Sequence, residues 1–214
     1  MNTAPYDVVG FAELESIPVA EGLVWHPVRR RLGVGAFGIN AYSAEAVGGH
    51  VVERHTEEQL GHEEIYVVVH GHARFTLDEK EVDAPAGTMV YIRDPAVKRE
   101  AVALEEGTLV LAVGGKPGEA YEVSAWETMF YAIPASREGR WDDAIALHEE
   151  ALRDRPGHAA LLYNLACMES RGGRHQEALL HLQEAVKLDR RWAEYAQKDT
   201  DFDAIRREPG FPNP

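Results

Sequence analysis

The chain has 214 residues, 45% of them hydrophobic, enough for one large domain or two small ones with packed cores. Its net charge of −14, shared by the parts before and after residue 118, repels phosphate backbones and anionic bilayers. Nucleic acid and membranes are therefore not expected partners, and a single cysteine, Cys167, excludes an internal disulfide framework. The opening MNTAPYDVVG has neither a basic stretch nor an apolar block, so no signal peptide is expected and the reading is cytoplasmic. The longest apolar runs, such as Thr108 to Val113, are too short to span a bilayer.

Along the first part, short β-rich runs alternate with turn residues. Strands are predicted at Leu32–Tyr42, His50–Arg54, Glu64–His70, His72–Asp78, Thr88–Arg93, Glu100–Leu104 and Thr108–Val113. Gly71, Asp78 to Lys80 and Pro85-Ala86-Gly87 supply turns. Many short strands at this spacing indicate a sandwich or barrel rather than βαβ units. The texture changes at Gly114-Gly115-Lys116-Pro117-Gly118, which sets an expected boundary between residues 1–118 and 119–214.

Five of the ten histidines fall within the first part's centre: His50, His55, His62, His70 and His72. Gly49 stands six before His55, and Glu64 stands seven before Gly71; Pro85-Ala86-Gly87 and Pro95 follow. Over about residues 20–115 this pattern resembles the cupin (RmlC-like) family, whose first motif reads G-x5-H-x-H-x(3,4)-E-x6-G. The resemblance implies a small β-barrel with two imidazoles and a carboxylate pointing inward, a mixed nitrogen and oxygen site for iron, manganese, nickel, copper or zinc. It also implies a homodimer, since such barrels commonly pair edge to edge. The chain departs from the family at three places. Glu57 replaces the second histidine, six residues separate Glu57 from Glu64, and Lys98 and Arg99 stand where the second motif carries its last histidine.

A lysine or arginine cannot ligate a divalent metal, but it can pair with Glu64 and stand in for the metal's charge. On the other side, His62 and Glu64 share strand parity, as do His55 and Glu57. If the extra residues form a bulge, His62 takes the place of the missing imidazole, and His55, Glu57, His62 and Glu64 make a metal set. Tyr66, Tyr91 and Arg99 are the candidates for holding a small-molecule ligand in the barrel. His70 and His72 are read as solvated edge residues flanking the Gly71 turn.

Beyond the boundary, Ala, Leu, Glu and Arg recur at helical spacing. Gly139, Arg140, Ala144, Glu150 and Ala151 each recur 34 residues later, at Gly173, Arg174, Ala178, Glu184 and Ala185. Residues from about 120 to 212 therefore resemble the tetratricopeptide repeat, which implies two antiparallel helices per unit. Pro156 closes the first unit as that family expects, while Arg190 stands where the second should carry proline. Pro134 is expected to interrupt the first helix, and a capping tail is expected with a short helix between Phe202 and Pro209. Two repeats and a cap favour packing against the β-region or a second subunit over a free groove, with a protein partner as the other reading.

The expected fold is thus a cupin-type β-barrel followed by an α-helical hairpin array. Two functions compete. One is a small-molecule-binding sensor or accessory protein, favoured by the degenerate second motif. The other is a metal-dependent dioxygenase, decarboxylase or isomerase acting on a small polar substrate, with the metal on His55, His62 and Glu64 and with Arg99 clamping a carboxylate. Cys167, inside a repeat helix, is read as core rather than as a nucleophile.

Overall fold

The computed structural model describes residues 5–19 and 22–213. It divides into two compact units, residues 1–123 and 124–214, a few residues beyond the boundary expected at 118.

The first unit is all-antiparallel. Its strands are β1 (Ile17–Pro18), β2 (Leu23–His26), β3 (Gly38–Ala44), β4 (His50–His55), β5 (Glu63–His70), β6 (His72–Leu77), β7 (Lys80–Pro85), β8 (Met89–Ile92), β9 (Arg99–Ala103) and β10 (Leu109–Gly115). They form a six-stranded sheet, β1-β2-β3-β10-β5-β8, and a four-stranded sheet, β4-β9-β6-β7. Strand alternation turns Tyr66 and Val68 of β5, Phe75 of β6, Ile92 of β8 and Ala101 and Ala103 of β9 into one buried cluster. Both sheets contribute to that core, so the layers face each other. A smaller core of Leu14, Val28 and Ala41 lies under the short helix α1 (Val28–Leu32).

Two sequence expectations shift here. Leu32–Tyr42 is not one strand: α1 ends on Leu32, Gly33 closes it in the left-handed conformation (φ 66°), and pairing begins only at Gly38. The turn expected at Asp78 to Lys80 is present at residues 78 and 79, but it leads straight into an unexpected strand, β7, whose alternating Glu81 and Asp83 face outward while Ala84 is fully buried.

The second unit pairs α2 (Ala125–Arg137) with α3 (Trp141–Asp154), and α4 (Ala159–Arg171) with α5 (His175–Leu188), followed by α6 (Arg191–Lys198). The repeat is geometric as well as textual. Gly139 and Gly173 both take left-handed φ, 72° and 81°. In equivalent turns the Arg140 N–H reaches the Ala135 carbonyl at 2.9 Å and the Arg174 N–H reaches Glu169 at 2.8 Å. Ala144 and Ala178 are fully buried, because a larger side chain there would hold the helices apart.

Pro134 does not interrupt α2; it lies within the last turn, where a missing N–H leaves only one carbonyl upstream without its helical donor. The short helix of the tail precedes Asp199 rather than following Phe202. Asp199 is a knot: one carboxylate oxygen accepts from the Asp201 N–H at 3.0 Å, the other from the Tyr163 hydroxyl at 2.7 Å and, weakly, the Cys167 thiol at 3.8 Å. Burial, then Asp199, pushes the Cys167 thiol well above its ordinary range, which fits a core residue and not a nucleophile. Among the described residues no helix is long and apolar enough to cross a membrane.

Candidate functional site

Inside the first unit the apolar interior gives way, at one end, to a cluster of ionisable side chains. β4 ends on His55, whose cross-strand partner on β9 is Arg99. β5 opposes them and turns Glu64 and Tyr66 inward, two residues apart on one face. The residues between β4 and β5 do not form a strand bulge. They close a turn in which the Leu60 and Gly61 N–H groups both reach the Glu57 carbonyl, at 3.1 and 2.7 Å, and Gly61 takes φ 69°. That turn returns His62 to Glu57, with Nδ1 3.2 Å from Oε2.

The geometry around His55 fixes its tautomer. Its Nδ1 lies 2.7 Å from the Glu53 carbonyl, which can only accept, so Nδ1 carries a proton. Nε2 then faces two carboxylates, 3.6 Å from Glu57 and 3.8 Å from Glu64. Burial pushes the His55 pKa down, but Glu64, the Glu53 carbonyl and Glu57 outweigh it and the net shift is upward. Burial likewise works against the Glu64 charge. His55, the Tyr66 hydroxyl at 2.6 Å and Arg99 overcome it and lower the Glu64 pKa. Tyr66, almost fully buried and held by Glu64, stays a neutral donor.

Arg99 stands behind Glu64. Its side chain is 0% exposed, its Nε is 3.8 Å from Glu64 Oε2, and all three guanidinium nitrogens lack a hydrogen-bond acceptor. Lys98, one residue earlier, is exposed, as the strand period requires. Solvent reaches the cluster from the opposite side, where His55 is 32% exposed and Glu57 and Glu64 are 11% and 14% exposed. Glu57 Oε2 is also without a hydrogen bond, although His62 is near.

Tyr91 is not part of this cluster. Its strand β8 buries Val90 and Ile92, so Tyr91 points to the outer face and donates to Glu63 at 2.5 Å, with Arg93 over its ring. Together with Phe37, Gly114 and Lys116 it borders a groove of about 300 Å³ that touches Glu64 from outside. The structure thus brings together His55, Glu57, His62, Glu64, Tyr66 and Arg99, and leaves Tyr91 on the far side of the sheet.

The donor set is compatible with a metal. His55 Nε2 and one oxygen each of Glu57 and Glu64 all lie within 4.8 Å of one another. Two ligands about 2.1 Å from one ion at a tetrahedral angle stand roughly 3.4 Å apart, close to the spacings here. The Arg99 guanidinium already supplies Glu64 with a counter-charge, and that weakens the need for one.

Residues 129–191 match the family model of the tetratricopeptide repeat. No curated protein matches the chain. Several solved structures described as cupin proteins are similar to part of this chain. One is a cupin protein from Bacteroides fragilis, at 18% identity and TM-score 0.41, over 57% of this chain and 93% of that one. Another is a sugar phosphate isomerase of the cupin superfamily from Silicibacter pomeroyi, at 15% identity and TM-score 0.44, over 51% and 76%. A third, described as a predicted oxalate decarboxylase from Thermotoga maritima, gives 18% identity and TM-score 0.43, over 51% and 99%. An antiparallel β-region followed by a helical repeat region is the architecture of this chain.

Proposed function

We propose that the first unit binds a small hydroxylated molecule at His55, Glu57, His62 and Glu64, and that the chain is a sensor or accessory protein whose helical repeats serve packing or a protein partner. The observation that carries this reading is Arg99. A buried guanidinium behind Glu64 gives the site a permanent cation, so the Glu64 carboxylate has a counter-charge without an added ion. Glu57 Oε2 is buried and has no hydrogen-bond donor, and an acceptor in that state calls for a hydroxyl or amino donor on the ligand. A homodimer through the β-unit belongs to the same proposal.

The convergence of His55, Glu57 and Glu64 favours a second reading, a metal-dependent enzyme such as a decarboxylase or isomerase. The three would hold the ion, which would supply Lewis-acid polarisation of a substrate oxygen, and Tyr66 would keep Glu64 oriented.

Elemental analysis of tag-free full-length protein separates the two. The first reading expects no stoichiometric transition metal, together with a rise in melting temperature on adding monosaccharides that is lost in Glu57→Gln. Stoichiometric metal that disappears in a Glu57→Gln, Glu64→Gln double variant overturns it and promotes the enzyme.

A further inference from the structure

Tyr121 lies in the segment that follows β10, 57 residues beyond Glu64 in the sequence, yet it reaches the same end of the sheet. Its ring rests on Gly38 of β3 so closely that a Cβ there would meet ring carbon and hydroxyl oxygen at 2.9 Å. A Cβ on Gly115 of β10 would also touch the ring, at 3.8 Å. Neither glycine has a left-handed φ, so the backbone conformation does not require them. Glycine inside a strand sacrifices side-chain packing, and close approach of another group is the usual reason for it. Here that group is an aromatic ring.

The ring also approaches the site. The Tyr121 and His62 rings are 5.9 Å apart between centroids and inclined by 34°. His62 in turn approaches Glu57, and Glu57 approaches His55, so contacts run from Tyr121 at the surface to Glu64 and Arg99 inside. The segment carrying Tyr121 has no strand or helix pairing. It turns at Pro117-Gly118, where Gly118 takes φ 77° and a Lys116–Glu119 ion pair of 2.7 Å closes the turn. Five residues after Gly118, at Val123, the first unit ends.

We infer that Tyr121 is the removable wall of the ligand site: seated on Gly38 and Gly115, it covers the His62–Glu57 side, and a ligand reaching Glu57 displaces the ring or stacks on it. Its flat face suits the C–H face of a ring-shaped polyol. Movement of the ring pulls on residues 119–123, the stretch that leads into the helical unit. The functional meaning rests on the proposed small-molecule site, but the wall itself can be tested without any ligand.

The test is per-histidine labelling of the full-length protein with diethyl pyrocarbonate, followed by mass spectrometry. His62 Nδ1 faces Glu57, which leaves Nε2 for the reagent. His70, exposed and remote in the fold, is the internal reference. Tyr121→Ala is expected to label His62 several-fold faster with His70 unchanged, and Tyr121→Phe, which keeps the ring, is expected to stay at the wild-type rate. Gly38→Ala, which leaves Tyr121 intact but unseats it, should reproduce the Tyr121→Ala effect. An unchanged His62 rate in both Tyr121→Ala and Gly38→Ala overturns the inference, and so does an equal acceleration of His70, which would make Tyr121 a strut of the whole unit. Should the wall be present while no monosaccharide or metal binds, the failure lies with the proposed function and not with Tyr121.

Discussion

Arg99 on β9 is the cross-strand partner of His55 on β4, and both direct their nitrogens toward the one Glu64 carboxylate, at 3.8 Å each. Two cationic groups therefore share an acceptor in the unit's interior, one permanently charged and one titratable. Removing the permanent charge leaves Glu64 with His55 and Tyr66 alone. Arg99→Met is expected to cost about 2–3 kcal/mol in urea unfolding of the full chain, at the low end for breaking a buried pair because two partners remain. Adding Glu64→Gln to Arg99→Met should recover part of the loss, since the uncompensated charge is gone. A double variant as unstable as the sum of the single ones would mean that the two side chains do not interact.

The same register allows the opposite experiment. A histidine at position 99 would face Glu64 from β9, add an imidazole to His55, Glu57 and Glu64, and remove the competing cation. Arg99→His is expected to bind cobalt(II) with a visible d–d absorption band that wild type lacks, and to lose it in Arg99→His, Glu57→Gln. Equal cobalt binding by wild type would show that the guanidinium does not stand in for the ion.

How much of this could be read from the sequence depends on how far apart the interacting residues lie. Strand parity alone put Glu64 and Tyr66 on one face, and their hydrogen bond follows from it. Counting motif spacing reached Lys98 first, whereas the alternation along β9, with Arg99, Ala101 and Ala103 buried, selects Arg99. An aromatic in a strand fits a cavity lining, but the parity of Tyr91 with Met89 rather than with Val90 turns it outward. Tyr121 was not visible at all, because no periodicity links a residue after β10 to Gly38. The signal available was the unexplained glycine within β3 itself.

The repeat in the second unit makes a packing prediction. Ala144 and Ala178 are equivalent by the 34-residue period and are both fully buried. Leucine at either position is expected to cost about 1–3 kcal/mol by overpacking, without changing helix content much. The measurement is thermal unfolding followed by circular dichroism. Tolerance of leucine at both positions would remove the close helix approach from the account of this hairpin pair.

Glu169 of α4 is 2% exposed, and its carboxylate meets His181 of α5, with Nδ1 2.7 Å from Oε2. The Glu169 hydrogen bond raises the His181 pKa and outweighs partial burial, while Glu184 and Glu149 add to it. A histidine raised in the folded state stabilises when protonated. Its contribution is complete below the ordinary value of 6.5 and disappears as pH rises through the higher folded value. With a third of the His181 side chain exposed, solvent screening holds that contribution to about 1 kcal/mol or less. The expected result is a stability difference between wild type and His181→Gln that is largest below pH 6.5 and fades at higher pH. In the Glu169→Gln background the same substitution should show little pH dependence, because the charge that holds the proton is absent. Thermal unfolding across the pH series measures both, and a wild-type advantage that stays constant from acid to alkaline pH would assign His181 to packing and not to the ion pair.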